Sequence, residues 1–441
     1  MPWALLSFRR GSRSCLATLS LVGALVVAAG LAVAPAAEAA APKVFVSPNG
    51  SDGRSCKSRQ AACASFDRAY RVARPGQVIQ VAGGSYPGQT IRAVSGRRGP
   101  RIVFRPAPRA RVVLGGLTFS GADRITVQGM RTRVKQGEPG AGNRGGIFVG
   151  PGSRYITLRR MIAGSISTWK ADHVLVRGGR YGPCHAVWNA SNVCDNNKID
   201  VSTNVTIQGA VFHDLRFDQS CFGGDCHWEC MYINGGRNVT IKRSKFYNCA
   251  LYDIFVTLSG DDARRMGHRR LRIQNNWFDT PWTESRSGGA RARPHAVSLA
   301  WCQNSPNGYR DVFVRFNSFQ RNTGIELDGN RSCVFEGVRV IGNMMGNASP
   351  CDSRVRYAYN LLSRALRGGR CSSTERIGGN RLPYAKQVSG SGFNFHLRKR
   401  RSGADNRVPR SVYGGCAVRD IDFQRRPLQR RCDIGADERR K

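Results

Sequence analysis

From residue 125 onward the chain alternates apolar and polar side chains in short bursts. Ile125-Thr126-Val127-Gln128, Ile156-Thr157-Leu158-Arg159 and Val174-Leu175-Val176-Arg177 come first. Val205-Thr206-Ile207-Gln208, Val239-Thr240-Ile241-Lys242, Leu271-Arg272-Ile273-Gln274 and Val312-Phe313-Val314-Arg315 continue the series, and Val338-Arg339-Val340 and Val355-Arg356-Tyr357 close it. A period of two over three or four residues predicts a strand with one buried face. Several bursts run on to an aromatic: Phe212, Phe246, Phe278 and Phe319. An asparagine often follows near the strand end, where a turn is expected: Asn248, Asn276, Asn317, Asn343 and Asn360.

The bursts start 17 to 41 residues apart. A recurring unit at irregular spacing predicts coils of one solenoid with loop insertions of varied length. A helix is predicted only at Phe66–Ala73, so no crossover helices support a doubly wound sheet. A β-sandwich gives no reason for Val-x-Ile-x-x-x-x-Phe to recur. Stacked coils would place like residues over like at about 4.8 Å, building internal ladders of Val, Ile and Phe.

The first forty residues read differently. Arg9, Arg10 and Arg13 precede an apolar run from Leu16 to Ala34, and Ala37-Glu38-Ala39 has the small-x-small pattern of a cleavage site. Residues 1–40 are expected to be a secretory signal, with an uncleaved anchor as the alternative. The flanks of Arg9-Arg10 do not suit the twin-arginine route, and Cys15 lacks a lipoprotein context. Residues 41–441 are then one domain: a cap and first coil (41–100), central coils (101–365) and a closing segment (366–441). No further long apolar run exists, so no membrane contact is expected of the mature form, and a monomer is expected.

Charge narrows the partners. Lys and Arg total 69 against 29 Asp and Glu, for a net charge of +40, which becomes +38 when three Arg and one Glu leave with the signal. Basic residues are spread along the chain without a nucleic-acid motif, so nucleic acid is not expected as a partner. An acidic polysaccharide or an anionic cell surface is the expected one. Asn204-Val205-Thr206 and Asn238-Val239-Thr240 match the glycosylation pattern but sit where a turn should precede a strand.

Fifteen Cys less Cys15 leave fourteen, an even number suited to disulfides in an oxidising compartment. Sequence proximity suggests Cys56–Cys63, Cys184–Cys194 and Cys416–Cys432; the rest cannot be paired from sequence. Cys221, Cys226, His227 and Cys230 could alternatively form a zinc cluster.

The opening segment Val44-Phe45-Val46-Ser47-Pro48-Asn49-Gly50-Ser51-Asp52-Gly53 and the stretch from Ala73-Arg74-Pro75-Gly76 to Gly84-Ser85-Tyr86 resemble those of secreted bacterial right-handed parallel β-helix proteins of the pectate-lyase-like superfold. The tail from Asp420-Ile421-Asp422 through Asp433-Ile434-Gly435-Ala436-Asp437-Glu438 resembles the closing segment of many such chains. The resemblance covers residues 43 to 438. It implies an all-β, right-handed parallel β-helix with a short N-terminal capping helix. It says little about chemistry, because the superfold hosts lyases, hydrolases, epimerases, tailspikes and adhesins.

Candidate chemistry concentrates in one acidic window. Residues 211–233 hold Asp214, Asp218, Asp225 and Glu229 against Arg216 alone, together with His213 and His227. The stretch between Leu215 and Cys230 is expected to be an insertion. Strand parity points Met231 and Ile233 inward, and Ile254 and Val256 likewise, which leaves Asp253 outside and about one coil from Cys230. Glu229 falls on the inward parity, so a bend or a buried partner such as His227 or Arg243 is expected for it. Parity also aligns Phe148, Asp200, Tyr232, Ser298 and Glu326 along one outer row. Gly150, Asn234, Ala300 and Asp328 form the next.

Two catalytic schemes fit these residues. In a lyase, Ca²⁺ held by Asp214, Asp218, Asp225 and Asp253 would bridge a uronate carboxylate and acidify its C5 proton, with Lys242 or Arg243 as base. In a hydrolase, Glu229 and Asp253 would be the acid–base pair, with His227 beside them. Asp200, Tyr232, Ser298, Glu326 and Asp328 would bind the sugar chain in either scheme. The remaining class is a non-catalytic binding module that uses basic patches such as Arg264-Arg265, Arg269-Arg270 and Arg398–Arg401.

Overall fold

The structure, a computed structural model, describes residues 44–133, 145–186, 197–217, 229–249, 252–279, 296–299, 301–302, 305–320, 323–327, 333–348, 351–363 and 370–378. Beyond these it describes 382, 384–386, 392–397, 404, 407–411, 416, 419–424, 426 and 431–437. All lie in a unit spanning Ala41–Lys441.

Every pairing within the two large sheets is parallel, which excludes a sandwich and gives the expected parallel β-helix. Each coil passes through three faces. Face 1 stacks Leu117–Ser120, Ile147–Val149, Ile166–Trp169, residues 197–200 and 231–234, Ile254–Thr257, Val297–Leu299 and Gly324–Leu327. Face 2 stacks Asp123–Gln128, Arg154–Arg159, Asp172–Arg177, residues 203–208 and 236–242, His268–Gln274, Phe313–Arg315, Val338–Ile341 and Val355–Ala358. Face 3, a separate sheet, includes Arg180–Tyr181, Val211–Phe217, Lys245–Cys249, Trp277–Asp279 and Ser318–Phe319.

The alternation in the sequence becomes ladders in register. Ile125, Ile156, Val174 and Val205 follow one another up face 2, as do Val127, Leu158, Val176, Ile207 and Ile241, all buried. Under face 3 the rings of Tyr181, Phe212, Phe246, Phe278 and Phe319 stack with centroids 5.2, 5.0, 5.2 and 4.8 Å apart. Those distances are the strand spacing itself, so each ring sits directly on the ring below.

A buried asparagine column turns the chain from face 2 to face 3. The Nδ2 of Asn276 donates to Asn317 Oδ1 (3.1 Å), that of Asn317 to Asn343 Oδ1 (3.0 Å), and that of Asn343 to Asn360 Oδ1 (3.1 Å). Asn360 Nδ2 donates onward to Glu375 Oε1 at 2.6 Å. Asn248 does not join the column; it adopts φ 53° and donates to Asp214. Asn204 and Asn238, at φ 53° and 56°, are the turn residues expected at the two glycosylation-like motifs.

The capping helix α1 is Phe66–Val72, with Ser65 accepting from Arg68 N as its N-cap. A second helix, α2 (Asp261–Met266), was not expected from sequence. Its six residues are too few to show a helical period. Disulfides join Cys56–Cys63 and Cys416–Cys432 as expected, and also Cys230–Cys249, Cys302–Cys333 and Cys351–Cys371. Cys230 is therefore not a zinc ligand. Cys194, Cys221 and Cys226 lie outside the described residues.

Candidate functional site

Face 1 carries two outward rows. In the first, Phe148 registers with Ser167, Ser167 with Lys198, Lys198 with Tyr232, Tyr232 with Phe255, Phe255 with Ser298 and Ser298 with Glu326. The second runs Trp169, Asp200, Asn234 and Thr257. Phe148, Tyr232, Ser298 and Glu326 thus share a row as expected, but Asp200 does not. Lys198 occupies its place, and Asp200 lies two residues on, beside Asn234. Alternation decides which side a residue faces, not how far along the strand it pairs.

The middle of this face is a charged and aromatic cluster. The Lys198 ammonium lies 5.3 Å from the Tyr232 ring centroid and 3.1 Å from Asp200 Oδ2. Asn234 Nδ2 donates to Asp200 Oδ1 at 2.9 Å, and its Oδ1 accepts from Ser259 N at 2.7 Å. Burial, helped by the nearby Glu229 and Asp200 carboxylates, pushes the Tyr232 phenol up to about 12. The phenol therefore stays protonated at neutral pH and serves as a donor rather than a base.

Toward Glu326 the face is covered. The Tyr252 ring stacks on Phe255 at 5.2 Å, and its hydroxyl donates to Glu326 Oε2 at 3.0 Å. Ser298 Oγ donates to the same oxygen at 2.8 Å. Ser298 and Glu326 are consequently buried although they point outward. Two exposed tryptophans belong to the coils of this face, Trp169 in the second row and Trp301 just past the strand Val297–Leu299. Trp169 is 43% exposed and Trp301 50%. Trp301 accepts through its carbonyl from Thr257 Oγ1, one coil beyond the second row. Four strand spacings separate the coils that carry these two residues, about 19 Å.

Glu229 and Asp253 are both fully buried, at the corner where face 3 passes to face 1. Glu229 has the burial expected of it. Asp253 was expected outside. It precedes Ile254–Thr257 in a bend, where strand parity no longer applies, and one of its oxygens lies within 4.8 Å of the Cys230 and Cys249 sulfurs. Those sulfurs are bonded to each other and offer no thiolate to a metal.

Asp214 belongs to face 3, at φ 55°, with its carboxylate held by His213 Nδ1 (2.8 Å) and Asn248 Nδ2 (2.6 Å). Among the described residues, Asp214 and Asp253 do not fall in one cluster of three ligand groups. Asp218, Asp225, His227 and Asp328 lie outside the described residues.

Lys242 and Arg243 stand at the corner of faces 2 and 3. There Arg243 donates to Gln208 Oε1 at 3.1 Å and covers the Phe423 ring at 4.5 Å. Neither belongs to face 1. Arg264 and Arg265 pair with Asp261 and Asp262 on their own helix, and Arg398–Arg401 lie outside the described residues. Lys198, Trp169, Trp301, Tyr252 and Phe255 were not singled out from sequence. Trp169 carried a signal: a tryptophan followed by Lys170, closing a short apolar strand, on the outward parity.

No family model matches the chain, and no curated protein matches it. Among solved structures it is similar to the pectate lyase Pel9A, at 14% identity over 90% of this chain and 96% of that one, with TM-score 0.46. XylC in complex with xylose gives 9%, 89%, 98% and 0.45 in the same terms. The Streptococcus pneumoniae surface protein and adhesin PfbA gives 12%, 68%, 88% and 0.41. Likeness at this level carries no chemistry from those proteins to this chain. No helix among the described residues is long and apolar enough to cross a membrane.

Proposed function

We propose that this protein, exported by its N-terminal signal, binds an anionic polysaccharide along face 1, with Lys198 and Tyr232 at the centre of recognition. One observation carries the reading. A lysine ammonium rests against a half-buried tyrosine on one parallel sheet, with the exposed Trp169 in the neighbouring row. Aromatic faces stack on the apolar sides of sugar rings, Asp200 and Asn234 offer acceptors and donors to hydroxyls, and Lys198 neutralises a uronate carboxylate. The net charge of +40 draws such a polymer in from solution.

Retention on immobilised polygalacturonate and alginate, with calorimetry, tests the reading. Lys198→Ala and Trp169→Ala should each weaken binding about tenfold, the range of one lost charged or stacking contact. Arg98→Ala, remote from face 1 in sequence, should change it little. Equal affinity in all three variants and the parent would reject face 1 as the site.

β-Elimination of the bound uronate is the second reading, favoured by the Lys198–Tyr232 contact beside the expected carboxylate position. It predicts rising ultraviolet absorbance from unsaturated uronate, lost in Lys198→Ala. Hydrolysis has weaker support. Asp200 and Glu326 stand about four strand spacings apart, some 19 Å, against the roughly 5–9.5 Å that a carboxylate pair requires. Glu229 and Asp253 are closed off from solvent.

A further inference from the structure

Away from face 1, the closing segment packs over face 3, with Ala436 N donating to Ser318 Oγ at 3.0 Å and Gly435 N to Gly342 O at 2.8 Å. Three remote stretches meet there. His396 comes from the strand Asn394–Leu397, Asp422 from the turn 419–424 and Asp437 from residues 431–437. One ligand atom from each lies within 4.8 Å of the other two.

The hydrogen bonds around His396 fix how it faces this cluster. Asn394 Oδ1 accepts from the His396 backbone N at 3.0 Å and also meets the ring Nδ1, a contact that suits the tautomer with its proton on Nδ1. The other nitrogen, Nε2, faces Asp422 Oδ2 at 2.5 Å. An imidazole nitrogen in contact with a carboxylate oxygen is bridged by a proton or by a metal ion. Asp437 brings a second carboxylate to the same point, its Oδ2 also accepting from Leu397 N at 2.9 Å. One proton can satisfy the His396–Asp422 contact, whereas a divalent ion satisfies all three groups. A histidine whose far nitrogen donates to a fixed acceptor is the usual arrangement of a metal ligand.

We propose that His396, Asp422 and Asp437 bind a divalent transition ion that fastens three stretches of the closing segment to one another. One imidazole and two carboxylates suit Zn²⁺ rather than Ca²⁺, which takes oxygen ligands. Donors at about 2.0–2.1 Å around a tetrahedral ion lie about 3.4 Å apart, so closure changes the separations by up to about 1.4 Å. The His396 ring meets the Trp277 indole edge-on at 4.8 Å, which supplies an optical reporter.

The test uses untagged protein, stripped with chelator and titrated with ZnCl₂ by calorimetry while tryptophan emission is followed. One equivalent should bind, with a change in emission and a higher melting temperature. His396→Ala and Asp422→Asn should each raise the dissociation constant at least tenfold, and Asn394→Ala about tenfold through the ring orientation. Circular dichroism checks that each variant folds. Should His396→Ala not fold, Asp422→Asn, at a side chain about one-third exposed, still decides the matter. Absence of saturable zinc binding by the parent overturns the proposal. So does parental affinity in folded Asp422→Asn, which would leave His396 and Asp422 as an ion pair only.

Discussion

His268 shows how much one buried group can govern. Its ring is fully enclosed, stacked on Tyr309 at 5.2 Å, with Nε2–H donating to Thr257 O at 2.8 Å. Burial pulls the imidazole down to about 4. An unfolded histidine takes up its proton near pH 6.5, while this one resists until about pH 4. Stability is therefore intact above pH 6.5 and falls as pH drops toward 4, because the unfolded state binds the proton first. The loss at pH 4.5 is roughly 2–3 kcal/mol. Urea unfolding at pH 7 and pH 4.5 should show it in the parent, and His268→Gln, which can still donate to Thr257, should lack most of it. The exchange of Lys198 for Asp200 belongs to this scale too. Both residues point outward, as parity requires, but residues 187–196 separate them from the preceding coil, and nothing in that length fixes the register.

At the scale of the element, the readable part of the sequence was what repeats. The Phe stack and the Val/Ile ladders recur in register and were visible as period-two bursts. The asparagines were visible as turn formers, but their column was not, because side-chain contacts between coils leave no local pattern. Asn317 is central to it, accepting from Asn276 N (3.0 Å) and Nδ2 (3.1 Å) and donating to Ile273 O (2.9 Å) and Asn343 Oδ1 (3.0 Å). Asn317→Ala would strand several buried polar groups, each costing about 1–3 kcal/mol. The expected destabilisation is about 3–5 kcal/mol in denaturant unfolding. Asn238 sits outside the column at φ 56° and gives the contrast. Asn238→Gly should be nearly neutral and Asn238→Ala should cost about 1 kcal/mol, because only the second strains a left-handed turn. The corner residues Glu229 and Asp253 were legible as unusual but not as to place, since a bend breaks the alternation that located everything else.

For the whole molecule, charge and stacking set the behaviour. With +40 spread along the chain, association with a polyanion should slow about tenfold or more between low and high salt, while the stacking contribution of Trp169 should persist. Stopped-flow binding at two ionic strengths separates the two. A salt-independent rate would mean that the charge does not steer the polymer.

The disulfides Cys230–Cys249, Cys302–Cys333 and Cys351–Cys371 have a consequence for how the molecule fails. In a stack where each coil leans on its neighbours, the end coils let go first and loss advances inward. The three bonds sit like rivets along the C-terminal half. A coil that opens there stays tethered and has little entropy to gain by leaving. Amide exchange after gentle reduction should quicken at residues 338–362 well before residues 102–127. The protein should come apart in instalments, and the redox state of its surroundings should decide where the unravelling stops.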